Sequence, residues 1–234
     1  MLTKERVFEI MGKYYGNAHY RSAIRLGISE HDLKLTTELL DRINALGYYF
    51  SNCHRLDEIE DRRFPPLVLD YYAKFESTIY QTGVLAAIRF KSYHEFVPQL
   101  LQIYESSTDL EIRYCVSDCI RQINSPKYVD ECLRIVNQPT YGAVCDQLVT
   151  YLCKRRVHKV IPRLLELLEK YPKTWRWTFL RYVVFFKDPS LIPYVEPFLQ
   201  ADDSEIRSLA RTAIKKLEAI QGTICVNPIK TLRH

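Results

Sequence analysis

Apolar side chains recur along this chain with the period of an α-helix, and the helical pattern itself recurs every 31 or 32 residues. In five segments an apolar residue, here called the anchor, is followed by apolar residues four and eight positions later. This spacing puts three side chains on one face of a helix and predicts a buried stripe. The five stripes are Tyr80/Val84/Ile88, Ile112/Val116/Ile120, Val144/Leu148/Leu152, Trp175/Phe179/Val183 and Ile206/Ala210/Ile214.

A shorter apolar segment comes before each of the last four stripes and opens on the same period. These segments begin, at steps of 32, 32 and 31 residues, at Val97, Val129, Ile161 and Ile192. Proline follows three of these residues, which suits the first turn of a helix, where backbone N–H groups have no intrahelical partner. The pattern therefore predicts an all-α chain of helix pairs, in which a first helix is followed by a second helix that carries the buried stripe.

Two of the second helices resemble those of HEAT repeats. The segments STDLEIRYCVSDCIRQI and DDSEIRSLARTAIKKLEAI each have an acidic turn, an aliphatic-arginine pair, a small residue and an aliphatic end. The resemblance covers about residues 64–220 and implies an ARM-like α-solenoid, a right-handed α-α superhelix of about five HEAT-like helix pairs. In this family the arginine of the pair, here Arg113 and Arg207, bonds carboxylates and carbonyls of neighbouring turns. HEAT repeats share a pattern rather than a catalytic motif, so the resemblance implies no activity.

The first part of the chain does not follow the repeat. Residues 1–62 are predicted to form an N-terminal helical cap over the apolar end of the solenoid, with helices near 3–14, 17–27 and 30–46. Ser29 stands where an N-cap would precede the last of these helices.

The rest of the chain divides into a solenoid and a tail. A charged segment at residues 51–66 closes with two prolines and is predicted to connect the cap to the solenoid of residues 63–220. Residues 221–234 contain a glycine and a proline but no acid, and they are predicted to form a C-terminal tail.

Composition is typical of folded proteins, and the sequence contains no known catalytic or cofactor-binding motif. It is 47% apolar and 26% charged, and it has no apolar run near the roughly 20 residues that a membrane-spanning helix needs. The seven cysteines are odd in number, form no C-x-x-C pair and are predicted to be packing residues in a reduced compartment. Because no secretory signal, phosphate loop, dinucleotide motif or zinc motif is present, we expect a cytoplasmic protein without cofactor, metal or membrane contact.

Charge is concentrated in the fourth repeat. From Lys154 to Lys187 there are ten basic residues against two acids, Glu166 and Glu169. The run KRRVHK begins this segment and lies at the predicted turn between the third and fourth pairs. Such a run is either a solvated turn or a contact for acidic groups, since Arg forks and Lys point charges both bind carboxylates and phosphates.

Stacked HEAT-like pairs line a concave side with their second helices, so positions two, six and nine after each anchor are predicted to face a groove. Arg176, one position after its anchor, shares the column of Arg113 and Arg207 and is a weaker candidate for the same surface. The predicted partner-binding residues are Tyr114, Asp118, Arg121, Asp146, Thr150, Lys154, Arg155, Arg156, Arg176, Trp177, Arg181, Thr212 and Lys215.

Three functions fit this surface. The first is a non-enzymatic scaffold or adaptor that binds another protein with an acidic surface, as small bacterial HEAT-like adaptors and immunity proteins do. The second is nucleic-acid binding, including the DNA glycosylases of the AlkD type, for which Trp177, Arg181 and Asp118 or Asp146 would be the counterparts, although their paired-tryptophan motif is not matched. The third is a regulatory subunit that docks through its tail. The sequence leaves the oligomeric state open.

Overall fold

The structure is a computed structural model that describes residues 2–14 and 25–225, with side chains for all of these residues except 143 and 221–225. The described part of the chain is helical and contains no β-strand. A bilayer-spanning candidate does not occur among its helices. The α-helices are α1 Lys4–Met11, α2 Glu30–Asn44, α3 Phe64–Tyr72, α4 Thr78–Leu85, α5 Val97–Ser106, α6 Leu110–Ile123, α7 Val129–Val136, α8 Asp146–Lys154, α9 Ile161–Lys170, α10 Pro172–Tyr182, α11 Ile192–Val195 and α12 Ser204–Cys225.

Internal contacts divide the chain into two compact units. Unit 1 is Met1–Pro126, with α1 to α6, and unit 2 is Lys127–His234, with α7 to α12. The division falls between the second and third predicted pairs, inside the segment of residues 63–220 that the sequence pattern assigns to one solenoid.

The predicted starts of the first helices are confirmed. α5, α7, α9 and α11 begin at the four residues that the period of 31 or 32 residues picked out. A 3₁₀ helix comes directly before each of them, at Lys91–Phe96, Pro126–Tyr128, His158–Val160 and Pro189–Leu191. Proline occupies the first turn of α5, α9 and α11, where it removes no helical hydrogen bond.

The buried stripes are confirmed in most positions. Every residue at anchor plus four is buried, and Trp175 has none of its surface exposed. Tyr80, Val144 and Ile214 are half-buried instead, and Val144 lies in a 3₁₀ helix, Pro139–Cys145, ahead of α8.

Each second helix packs against its own first helix within a unit. In unit 1, α3 packs on α4 and α5 on α6; in unit 2, α7 packs on α8, α9 on α10 and α11 on α12. Successive second helices are also in contact, α4 with α6 in unit 1, and α8 with α10 and α10 with α12 in unit 2. Stripe residues can thus be buried on two sides.

Several predicted boundaries differ from the structure. The predicted connection contains a 3₁₀ helix, Cys53–Glu58, and its two prolines stand in the first turn of α3 rather than closing a loop. α12 extends to Cys225 and so includes the first five residues of the predicted tail, and residues 226–234 lie outside the described residues. Ser29 caps α2 as predicted, since its Oγ accepts from the backbone N–H of Asp32 at 3.1 Å. The predicted helix at 17–27 lies mostly outside the described residues.

Cysteines act as small packing residues. Five of them, Cys53, Cys119, Cys132, Cys145 and Cys153, are buried, and burial raises the pKa of Cys53 and Cys132 to about 12, which keeps these thiols protonated. Cys115 and Cys119 on α6 donate from Sγ to carbonyl oxygens of α4, at 3.3 Å to Thr82 and 3.5 Å to Leu85. The small side chains thus let the two second helices of unit 1 approach closely.

Candidate partner-binding surface

The exposed face of α6 in unit 1 begins with two apolar side chains. Tyr114 is 54% exposed, and Leu110, one turn earlier on the same face, is 57% exposed. Asp118 and Arg121 form an ion pair in which Nε donates to Oδ1 at 3.0 Å, and Gln122 Nε2 donates to Oδ2 of Asp118 at 2.5 Å. Because both carboxylate oxygens already accept hydrogen bonds, these two predicted site residues neutralise each other.

The arginines after the anchors have structural roles, as the family resemblance predicts. Arg113 Nε donates to the carbonyl oxygen of Tyr104 at 3.2 Å, and Arg207 Nη1 donates to those of Ala201 and Asp202 at 2.6 and 2.7 Å. These bonds satisfy carbonyls at the ends of the preceding helical segments.

Arg176 also makes a contact between helices. Its Nη2 lies 3.8 Å from Oδ2 of Asp203, whose other oxygen caps α12 by accepting from the backbone N–H of Glu205 at 2.9 Å. Arg176 therefore links α10 to α12, and we leave it out of the proposed surface.

α8 does not present the residues that the groove requires. Thr150 is only 6% exposed and Cys153 is fully buried, so neither offers a partner any surface. The physical reason is that residues 148–153 are buried on every face of the helix, including the faces towards α7 and α10. Of the predicted positions on α8, only Asp146 at its start and Lys154 at its end reach solvent.

The remaining predicted residues of unit 2 are accessible. Trp177 is half-buried on α10, Arg181 is exposed one turn later, and Thr212 and Lys215 are exposed on α12. Arg155 is half-buried and Arg156 is exposed in the turn after α8.

The two units handle charge differently. Unit 1 has 15 Lys and Arg against 17 Asp and Glu, whereas unit 2 has 18 against 11. Most of the described cations of unit 1 are held in ion pairs, such as Lys13 to Asp41 at 2.8 Å and Arg89 to Asp57 at 2.6 Å. Within the described part of unit 2, nine exposed cations form no ion pair: Arg156, Lys159, Lys170, Lys173, Arg181, Lys187, Arg211, Lys215 and Lys216.

Two of these nine cations have left-handed backbone conformations. Arg156 has a φ of 58° and follows the C-terminal end of α8. Lys187 has a φ of 54° and follows the 3₁₀ turn Val183–Phe186 that continues α10. Asn124, with a φ of 53°, holds the same place after α6. The turn after α8 is a Schellman motif, because the N–H of Arg156 donates to Cys153 O at 2.9 Å and that of Val157 to Leu152 O at 3.1 Å.

His158 joins the two left-handed turns. Its Nδ1 lies 3.0 Å from the carbonyl oxygen of Arg156 and its Nε2 lies 3.0 Å from that of Phe186, the residue before Lys187. The imidazole also packs on the Phe186 ring, with 5.7 Å between the ring centroids. One ring therefore holds the backbones of the two cationic turns beside each other.

Aromatic side chains border these turns. Lys154 Nζ stands 5.8 Å from the centre of the Tyr182 ring, which lies 5.8 Å from that of Phe185. Phe185 is 37% exposed. We call Arg156, His158, Phe185 and Lys187 the C-terminal patch, after the helix ends on which it lies.

Sequence reasoning did not select three members of this patch, His158, Phe185 and Lys187. A usable signal was nevertheless present. Asn124, Arg156 and Lys187 follow each other at 32 and 31 residues, the period of the helix pairs, so cations replace asparagine at one repeated position.

Comparison of the chain with protein-family models, with curated proteins and with solved structures gives no match. Within residues 2–14 and 25–225, no three His, Cys, Asp or Glu side chains come together in a way that suits a metal ion.

Proposed function

We propose that this protein is a non-enzymatic binding protein of the HEAT-like α-solenoid class, and that unit 2 binds an acidic surface of another protein. The repeat period supports the class, as does the packing of each second helix against its first helix and against the next second helix inside a unit.

The observation that carries the binding function is the set of nine exposed cations in the described part of unit 2 that form no ion pair. Between Lys154 and Lys187 the only two acids are Glu166 and Glu169, and Glu166 is paired with Arg163 at 2.6 Å. An excess of positive charge without local neutralisation raises the potential over a surface and attracts an acidic partner over a distance. Unit 1, with its ion pairs, supplies no comparable attraction.

The aromatic rings favour a protein partner over single-stranded nucleic acid. Proteins that bind single strands combine basic grooves with open ring faces on which bases stack. In unit 2, cations already lie over Tyr182, Tyr151 and Tyr171, at 5.8 Å from Lys154, 5.5 Å from Arg155 and 5.5 Å from Lys170. Rings occupied in this way orient cations and leave less surface for bases.

The test compares two double charge reversals of equal net charge. Lys173→Glu/Arg181→Glu changes unit 2, and Arg62→Glu/Lys91→Glu changes exposed cations of unit 1 that form no ion pair. Each variant and the wild type are used for affinity capture from cells, and for fluorescence anisotropy with oligothymidine and a single-stranded RNA at about 50 and 200 mM salt.

We expect the wild type and the unit 1 variant to retain one protein in stoichiometric amount, and the unit 2 variant to lose it. Tight oligonucleotide binding that weakens steeply with salt, without a retained protein, would replace the proposal with nucleic-acid binding.

A further inference from the structure

We propose that Arg156 and Lys187 form an anion site in the C-terminal patch, and that its occupant is a pair of neighbouring carboxylates in an acidic peptide segment of the partner. This inference rests on the proposed function and names the contact through which it would operate.

The backbone conformation is the first reason. A left-handed residue at the end of a helix is most often glycine, and asparagine is the next choice, because other side chains meet the backbone there. Asn124 follows this preference, whereas Arg156 and Lys187 at the equivalent positions do not. A residue that does not suit the left-handed backbone conformation is expected at such a position where function requires its side chain.

The helix dipole does not explain these two residues. A cation near a helix C-terminus is stabilised by the carbonyl ends, but it need not be left-handed for that. Lys154 already stands in the last turn of α8 and Arg181 in that of α10. Lys154 and Arg181 therefore already stabilise the negative ends of the two helix dipoles, and Arg156 and Lys187 are not needed for this purpose.

The geometry brings the backbones of the two turns together. The two ring nitrogens of His158 lie 3.0 Å from the carbonyl oxygens of Arg156 and Phe186, so a single imidazole ring separates the two turns. The nearest acid in sequence, Asp188, uses Oδ1 to accept from the backbone N–H of Ser190 at 3.0 Å. Arg156 and Lys187 form no ion pair within the described residues.

The side chains suit carboxylates beside an apolar group. The Arg156 guanidinium can hold one carboxylate with two parallel hydrogen bonds, and the Lys187 ammonium adds a point charge for a second. Phe185, two residues before Lys187, is 37% exposed and offers apolar contact to the same segment. Because the bordering Tyr182 ring already carries Lys154, the patch favours an acidic peptide over stacked bases.

The experiment uses the full chain and a fluorescein-labelled oligoglutamate peptide that contains one phenylalanine. The test variant is Arg156→Gly/Lys187→Gly, which relieves both left-handed residues while removing both charges. Asn124→Gly is the control for the conformation, and Lys173→Gln removes one exposed cation at the other end of α10. Anisotropy gives the peptide affinity, and urea unfolding gives the stability of each variant.

We expect the double glycine variant to have a higher urea midpoint than the wild type and an affinity lower by about tenfold or more. Asn124→Gly should leave the affinity unchanged, and Lys173→Gln should lower it by no more than about twofold, because its charge lies outside the patch.

Each contrary result has a separate meaning. Equal peptide binding by the wild type and the double glycine variant would overturn the anion site while leaving the proposed function in place. A lower urea midpoint in that variant would overturn the conformational argument. Absence of peptide binding by the wild type, with protein capture that the unit 2 charge reversal does not affect, would overturn both proposals. Oligothymidine binding that is lost in the double glycine variant would assign the patch to a nucleic-acid backbone instead.

Discussion

The His54 imidazole lies directly against the backbone of Gly83 in the interior of α4. A Cβ at residue 83 would stand 2.2 Å from Nδ1 and 2.3 Å from Cε1 of His54, far inside van der Waals contact. The ring also stacks on Tyr80, with 5.9 Å between centroids and 21° between planes. Glycine in a helix costs about 1 kcal/mol relative to alanine, and here this close approach of the 3₁₀ helix Cys53–Glu58 accounts for it.

Gly83→Ala should lower the free energy of unfolding by about 1–2 kcal/mol, because the displaced imidazole outweighs the gain in helix propensity. In a His54→Ala background the same change should instead be stabilising by up to about 1 kcal/mol. Urea unfolding of the four proteins of this double-mutant cycle measures both effects. A stabilising Gly83→Ala in the wild-type background would contradict the observed contact.

Stability should depend on pH through His54. Contact with α4 desolvates part of the His54 imidazole, although the residue as a whole is exposed, and this lowers its pKa, with a smaller opposing effect of Asp57. The folded protein therefore takes up this proton at lower pH than the unfolded chain, whose pKa is about 6.5. As pH falls below about 6.5 the unfolded chain binds the proton first, and the free energy of unfolding decreases until the folded pKa is passed. Urea midpoints measured through this range should fall more for the wild type than for His54→Phe, which keeps a ring without a titration. If the urea midpoints of the wild type and of His54→Phe fall equally with pH, His54 does not cause the pH dependence of stability.

Arg163 should be the most sensitive charged residue of unit 2. Arg163 is only 7% exposed, and its Nε donates to the carbonyl oxygen of Val136, at the end of α7, at 3.0 Å. Its Nη1 lies 2.6 Å from the carboxylate of Glu166, which is exposed. Arg163→Met should cost about 2–4 kcal/mol, since buried carbonyls lose their donors. Glu166→Gln should cost less than about 1 kcal/mol, because that end of the pair is in water. Urea unfolding of the two variants gives the comparison, and equal losses would mean that the ion pair, rather than the carbonyl bond, is important.

Asp32 on α2 should contribute strongly to stability, because its carboxylate caps the start of a different helix, α4. This buried carboxylate on α2 accepts from the backbone N–H groups of Glu76 at 2.8 Å and Ser77 at 2.9 Å, ahead of α4, where Ser77 makes no side-chain cap of its own. Asp32→Ala should lower the free energy of unfolding by about 2 kcal/mol, and Asp32→Asn by less, since one amide oxygen remains to accept. Asp188→Ala, at a more exposed cap of Ser190, is the control, with an expected loss of about 0.5–1 kcal/mol in the same urea assay.

Part of the candidate surface follows from the sequence and part does not. The exposure of Arg181 and Lys215 follows from their position relative to the anchors, because helical spacing alone separates buried from open faces. The same spacing places Thr150 in a groove, yet Thr150 is buried, since α8 is covered on faces that periodicity cannot distinguish.

Along the chain, the sequence by itself determined the helix pairs, with first helices beginning at Val97, Val129, Ile161 and Ile192. Apolar spacing and first-turn prolines act over a few residues, so they can be read without knowing the neighbours. Only the tertiary structure decided that His158 holds Arg156 and Lys187 in adjacent turns, because that arrangement depends on contacts between residues 28 positions apart. The charge of unit 2 could be counted in advance, but the absence of ion pairs at its exposed cations depends on where each side chain meets its surroundings.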